Sequence, residues 1–385
     1  AGRTGLDIEI PSTAQVLPAL FNEEIGFVLQ IAAGHLAALE AQAPGGCQVV
    51  AKLRADDRVI IRQDQCELFS GSRSDLQQLW AKTSYLMQRR RDSAACADEE
   101  FAGIRASKED NAGLNAKLTF DPSHVPNVIG KAKPTIAVLR EQGVNGQIEM
   151  AAAFDAAGFD CVDVHMSDLV TRQRSLAEFQ ALVACGGFSY GDVLGAGGGW
   201  AKSILQDARL RDQFAAFFAA DTLSLGICNG CQMLSQLHSL IPEADHWPAF
   251  VRNRSEQFEG RTVLVQIQDN ASPWLAGMAG SVMPVAVAHG EGRPEFRSSH
   301  GPALTAPQVA LRYVDANHAI TERYPDNPNG APEGLAGLTA AQGRVLAMMP
   351  HPERVYRSIQ NVWRDPQWQE DGPWLRLFRN ARSSL

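Results

Sequence analysis

The chain has 385 residues, 45% hydrophobic and 20% charged, the balance of a soluble globular protein rather than a disordered or fibrous one. That length exceeds one ordinary core, so two domains are expected. The net charge of −8 leaves no nucleic-acid footprint, and no apolar run approaches the roughly 20 residues that span a bilayer.

The chain opens Ala1-Gly2-Arg3 without an initiator Met and without a signal-peptide pattern, and it enters strand-like sequence at once. The expectation is a piece cut from something longer. Seven scattered cysteines form no disulfide framework, which points to free thiols in a reducing cytoplasm.

Residues 1–92 read as an α+β piece. Val28 to Ile31, Gln48 to Leu53 and Arg58 to Ile61 are short and β-branched, as strands are. Ser72 to Arg91 has Leu76, Leu79, Trp80 and Leu86 at helical spacing, and Arg89-Arg90-Arg91 falls where cations suit the end of a helix dipole. Residues 93–133 turn polar and lose apolar periodicity, so they read as a linker.

From Pro134 the pattern alternates strand and helix. Strands are expected at Thr135 to Leu139, Cys161 to Val164, Leu182 to Ala184 and Leu223 to Ile227. Between them, Asn145 can cap a helix that runs to Ala157 and ends at Gly158. Helices are also expected from Trp200 to Ala219 and from Asn229 to His238. Continuous apolar strands alternating with helices mean a parallel sheet covered on both faces. Further strands at Val263 to Ile267, Val282 to Ala288, Val309 to Tyr313 and Val345 to Met349 are expected to extend one edge, before a terminal helix at Trp374 to Arg382.

Three segments carry chemistry. Gly226-Ile227-Cys228-Asn229-Gly230-Cys231-Gln232 follows an apolar strand and opens a helix. A nucleophile on such a turn is exposed at the carboxyl end of the sheet, and the helix N-terminus favours a thiolate. Cys228 sits at the turn, while Cys231 lies one turn into the helix. A redox or metal Cys-x-x-Cys, or two cysteines that merely pack, remain as alternatives. Pro350-His351-Pro352-Glu353 ends a strand with an imidazole and a carboxylate two residues apart, on one face of an extended stretch. The carboxylate can orient the ring and stabilise its cation. Cys185-Gly186-Gly187-Phe188-Ser189-Tyr190-Gly191-Asp192 can present a backbone N–H to an oxyanion. It can also be a simple turn or a phosphate loop, though no Gly-Lys-Ser/Thr follows at the spacing a phosphate loop needs.

With these three segments in order, the chain from Pro134 to its end resembles the class I, triad-type glutamine amidotransferases. Their Gly-x-Cys-x-Gly-x-Gln pattern matches Gly226 to Gln232, and their Pro-His-Pro-Glu signature matches Pro350 to Glu353. The likeness is closer to the large, single-chain phosphoribosylformylglycinamidine synthase family. It is carried by Arg140 to Asn145, Gly186 to Asp192, His289 to Arg293, Arg312 to Asp315 and Tyr324 to Gly330, with Phe21 to Gly26 as the landmark of the first part. Gly198 departs from that pattern, standing where an acidic residue is expected.

The resemblance implies an α/β, flavodoxin-like glutaminase domain with a parallel-rich sheet at 134–385. It would be preceded by the tail of an AIR-synthetase-like α+β domain at 1–92. It implies Cys228, His351 and Glu353 as the catalytic triad, and Gly187, Asn229 and Gln232 as oxyanion and substrate-binding residues. Glutamine is the implied substrate. ATP and Mg2+ are implied for the full-length enzyme, bound mostly outside this chain, as is formylglycinamide ribonucleotide. No cofactor or metal is implied for the glutaminase half, and the full-length enzyme is expected to be a monomer. A stand-alone cysteine hydrolase of the same fold class and a non-catalytic docking module are the competing readings.

Overall fold

The computed structural model describes residues 3–43, 45–107, 111–125, 132–296, 305 and 308–385. The chain divides into two compact units. One comprises Ala1–Met87 with Phe101–Asn111, the other Gln88–Glu100 with Ala112–Leu385.

The first unit is built on β1 (Gly5–Glu9), α1 (Val16–Phe21), α2 (Leu36–Gln42), β2 (Ala51–Arg54), β3 (Arg58–Gln63) and β4 (Cys66–Ser72). Its sheet has the order β2-β1-β3-β4, with β1 and β3 parallel and both outer pairs antiparallel. Helices α3 (Arg73–Arg91) and α4 (Ala94–Gly103) follow. The strand expected at Val28 to Ile31 is absent, and Val28 is 91% exposed. β-Branched sequence forms a strand only where an edge and a covering face are available, and the described residues offer neither there. Strand β4 was missed because its alternation is broken by polar residues.

The second unit carries β5 (Thr135–Arg140), α5 (Gln147–Ala156), β6 (Asp160–His165), α6 (Met166–Val170), β7 (Ala181–Ala184), α7 (Gly198–Gln206), α8 (Ala208–Ala219), β8 (Leu223–Ile227) and α9 (Asn229–Gln236). Then come β9 (Ala249–Val251), β10 (Glu259–Ile267), β11 (Val282–His289), β12 (Arg293–Glu295), β13 (Val309–Val314), β14 (Leu335–Ala340), β15 (Val345–Met348) and α10 (Leu375–Ser384). Nine of these strands form one sheet, in the order β11-β10-β13-β14-β15-β8-β7-β5-β6. From β15 to β6 every pairing is parallel, and from β15 to β11 every pairing is antiparallel. The later strands therefore extend one edge, as expected. The centre of the parallel half is apolar on both faces, with β7 and β8 buried at every residue.

Two helix assignments change. The helix expected over Trp200 to Ala219 is broken at Asp207, whose carboxylate accepts from the Arg209 and Leu210 N–H groups and so starts α8 afresh. Helix α5 has Gly146 at its N-cap and no side-chain cap, so Asn145 does not cap it, whereas Gly158, at φ +92°, ends it as a C-terminal glycine does. Strand β14 was missed because Leu-Ala-Gly-Leu-Thr-Ala is rich in small residues, and burial rather than propensity holds it.

Within the stretch read as a linker, residues 108–110 and 126–131 lie outside the described residues. The rest contains α4, and a bridge in which Lys117 and Val282 exchange both backbone hydrogen bonds (2.9 and 2.8 Å). Leu118 and Phe120 pack against the core of the second unit.

Candidate active site

Strand β8 ends in the parallel half of the sheet and turns directly into α9. Cys228 occupies the turn with φ 52° and ψ −109°, a conformation a residue with a Cβ adopts only under strain. The turn is held by the Cys228 N–H, which donates to Met348 O at 3.0 Å, and by Gln232 N–H, which donates to Cys228 O at 2.9 Å. Glycine is required on both sides. A Cβ on Gly226 would lie 2.8 Å from Gly230 O, and one on Gly230 would overlap the Ala184 carbonyl at the end of β7.

His351 follows β15, the strand parallel to β8, so the two segments leave the sheet side by side. Its ring Nδ1 lies 2.6 Å from Glu353 Oε1, and both side chains are fully enclosed. The Glu353 carboxylate is set by the short helix Pro352–Arg354, whose proline fixes its first turn. The antiparallel half of the sheet closes the other side. Ala286 O accepts from His351 N–H at 2.8 Å, and Ala288 O faces the Cys228 thiol at 3.6 Å.

The imidazole and the thiol meet across Gly186. A Cβ there would stand 2.7 Å from His351 Cε1 and 3.2 Å from Cys228 Cβ. Burial alone would lower the basicity of His351. The Glu353 carboxylate, and then Cys228, more than offset this, and its pKa is pushed up to about 10. Nearby His289 goes the other way. Burial, aided by the charge on His351, drives its pKa down to about 3, so it stays neutral. Burial also pushes the Cys231 and Cys185 thiols well up, as expected of packing cysteines. All seven cysteines are free. Among the described residues no three His, Cys, Asp or Glu side chains gather as a metal site, and no helix is long and apolar enough to cross a membrane.

Gly187 has φ +139°, and a Cβ on it would strike Asn145 N at 2.7 Å and Val144 Cα at 2.9 Å. Only glycine fits this backbone. Asn229, immediately after Cys228, is 1% exposed, with its Nδ2 on Asp192 Oδ2 at 2.8 Å and its Oδ1 unpartnered. Gln232 Nε2 donates to Glu291 O, so its amide nitrogen is committed to the 289–293 loop.

Sequence reasoning passed over Asp192 and Glu291. Asp192 accepts from Ser189 N–H and Oγ, from Gly197 N–H and from Asn229 Nδ2. Glu291 Oε2 accepts from Ala196 N–H at 3.0 Å. The readable signal for Asp192 was Ser189-x-x-Asp192, the spacing of a capping box. Asp192 takes two N–H groups of the glycine-rich loop, those of Ser189 and Gly197, which are therefore not free to cradle a phosphate.

Residues 133–384 match the family described as the CobB/CobQ-like glutamine amidotransferase domain. Among solved structures, that of PurLQS from Thermotoga maritima is similar at 24% identity and a TM-score of 0.49, over 64% of this chain and 98% of that one. A glutamine amidotransferase from Thermotoga maritima is similar at 14% identity and a TM-score of 0.36, over 58% of this chain and 77% of that one. The glutaminase domain of Trypanosoma brucei CTPS with bound acivicin is similar at 13% identity and a TM-score of 0.38, over 65% of this chain and 94% of that one.

Proposed function

Because the chain belongs to the CobB/CobQ-like glutamine amidotransferase family, we propose that it releases ammonia from glutamine at Cys228. The observation that carries this reading is the meeting, across Gly186, of a strained cysteine turn and a buried imidazole–carboxylate pair. Cys228 as thiolate attacks the side-chain amide carbon of glutamine. The N–H groups of Gly187 and Asn229 receive the oxyanion. His351 gives its proton to the departing ammonia, then takes one from the water that cleaves the thioester and releases glutamate. Glu353 holds the imidazole in place and stabilises its cation. Gln232 supports the turn through the 289–293 loop.

The finer reading is that this ammonia serves an ATP-dependent carbon–nitrogen ligase, which converts formylglycinamide ribonucleotide to formylglycinamidine ribonucleotide in purine biosynthesis. It is supported by the segments Arg140 to Asn145, Gly186 to Asp192, His289 to Arg293, Arg312 to Asp315 and Tyr324 to Gly330. ATP, Mg2+ and the ribonucleotide are assigned to a synthetase region outside residues 134–385, and no step of the glutaminase reaction passes through them. A reducing cytoplasm suits a reaction that needs a free thiol.

The test is replacement of Cys228 by Ala in the full-length enzyme. Glutamine-dependent amidation should vanish while ammonia-dependent amidation persists. Loss of glutamine-dependent activity in Cys231→Ala instead would overturn the assignment.

A further inference from the structure

We infer that Asp192 is a positioning residue that holds both proposed oxyanion donors through one carboxylate, an inference that rests on the glutaminase reading above. The two donors lie on different segments. Gly187 is two residues before Ser189, whose N–H and Oγ bond Asp192 at 2.9 and 2.6 Å. Asn229 is the first residue of α9, and its side-chain amide bonds Asp192 at 2.8 Å. A fourth bond, from Gly197 N–H at 2.9 Å, fixes the far arm of the same loop. Gly197 in turn lies against the first turn of α9, where a Cβ would approach Gln232 Cβ to 2.9 Å.

All four partners present donors. A carboxylate can accept all four because it has two oxygens and about four lone-pair sites, whereas an amide of the same shape has one oxygen and turns an N–H2 toward two of them. The charge also fixes the Asn229 amide, with nitrogen toward Asp192 and the buried Oδ1 left unpartnered. Asp192→Asn therefore leaves at least one backbone N–H, that of Ser189 or of Gly197, facing a donor, and removes the charge that fixes the Asn229 amide. The structural consequence is local. The elbow hydrogen bonds of Cys228 and the His351–Glu353 pair do not involve Asp192.

The experiment is covalent labelling of the chain, read by intact mass and peptide mapping. A chloroketone analogue of glutamine reacts through a tetrahedral alkoxide. The sulfur then forms a bond to the methylene carbon, and chloride leaves with the bonding pair. Iodoacetamide is displaced directly, iodide leaving, with no alkoxide. Removing one oxyanion donor outright costs about 10²–10³-fold, so loosening the segments that carry the donors without removing either is expected to cost less, slowing the chloroketone's maximal inactivation rate about 10–100-fold in Asp192→Asn. Its half-saturating concentration and the iodoacetamide rate should stay essentially unchanged.

Wild-type labelling with an unaltered chloroketone rate in Asp192→Asn overturns the inference and leaves the glutaminase reading standing. A parallel loss of both rates also overturns it, because that marks general damage. If Asp192→Asn does not fold, Ser189→Ala, which removes one of the four bonds, should show a smaller loss confined to the chloroketone, and an unchanged rate there overturns the inference. A wild-type Cys228 that takes iodoacetamide but never the glutamine analogue overturns the glutaminase reading itself.

Discussion

Replacing Glu353 by Gln should return His351 to a near-ordinary imidazole. The bond from Nδ1 to Oε1 is 2.6 Å, and both groups are fully buried. Charge centres about 4 Å apart in a protein interior with an effective dielectric constant of about 20 attract by about 4 kcal/mol. At 1.36 kcal/mol per pH unit, that is worth about three pH units. Burial acts the other way, and together with Cys228 the Glu353 charge outweighs it, pushing the pKa up to about 10. Glutamine is isosteric but neutral, so His351 should titrate about three units lower. Cys228→Ala should lower it as well, because Cys228 also raises it. The assay is a pH titration of the imidazole Cε1–H resonance, assigned by its loss in His351→Asn. The sign of the stability effect follows. A pKa raised in the fold contributes stability below the unfolded value of about 6.5 and loses it as pH rises through about 10. The wild type should therefore exceed Glu353→Gln in urea stability most at pH 6, with the gap closing toward pH 10. A His351 resonance that still titrates above pH 9 in Glu353→Gln would refute the reasoning.

The remaining predictions concern the frame of the site. Gly187→Ala should cost at least about 2 kcal/mol in urea unfolding and abolish chloroketone labelling, since φ +139° and the Asn145 contact exclude a Cβ. Cys231→Ala should keep glutamine-analogue labelling at Cys228 while lowering stability by about 1 kcal/mol, because this thiol only packs. Gly198→Ala should raise the thermal midpoint, by about 1 kcal/mol of added stability. A Cβ there meets only Leu194 Cβ at 3.8 Å, and alanine suits the first turn of α7 better than glycine. An unchanged or lower midpoint would contradict the room for a Cβ seen at that position.

The centre of the parallel half of the sheet was legible because its strands are buried on both faces and so read as continuous apolar runs. Leu223–Ile227 was placed to the residue. The elbow and the Pro350–Glu353 segment were legible because their chemistry is local. Gly226, Gly230 and Cys228 are neighbours in sequence, and so are His351 and Glu353. What escaped was set by contacts far apart in the chain. Strand β14 has no propensity signal of its own and is held by β13 and β15. Lys117 joins the sheet edge only because Val282 lies beside it. Val28 has the right residues for a strand, yet the described residues offer it no partner.

The same distinction explains the polar residues missed around the site. Asn253 donates to His289 O at 2.8 Å and accepts from Gly292 N–H at 2.9 Å, and Asn329 Nδ2 reaches Gly292 O at 2.6 Å. Asn253 is 2% exposed and Asn329 fully buried, so neither amide can be lost without stranding backbone groups. Together they fix the 289–293 loop, which receives Gln232 and through Glu291 grips Ala196 in the glycine-rich loop. Helix α9 is thus bound to the glycine-rich loop twice, directly through Asp192 and indirectly through Glu291. A single loop could drift relative to the cysteine. Two ties anchored on opposite arms of the loop, near Ser189 and at Ala196, hold it against both translation and rotation. The antiparallel half of the sheet therefore does more than cover an edge. It supplies the carbonyls that face His351 and Cys228, and the loop that ties the glycine-rich segment to the cysteine turn.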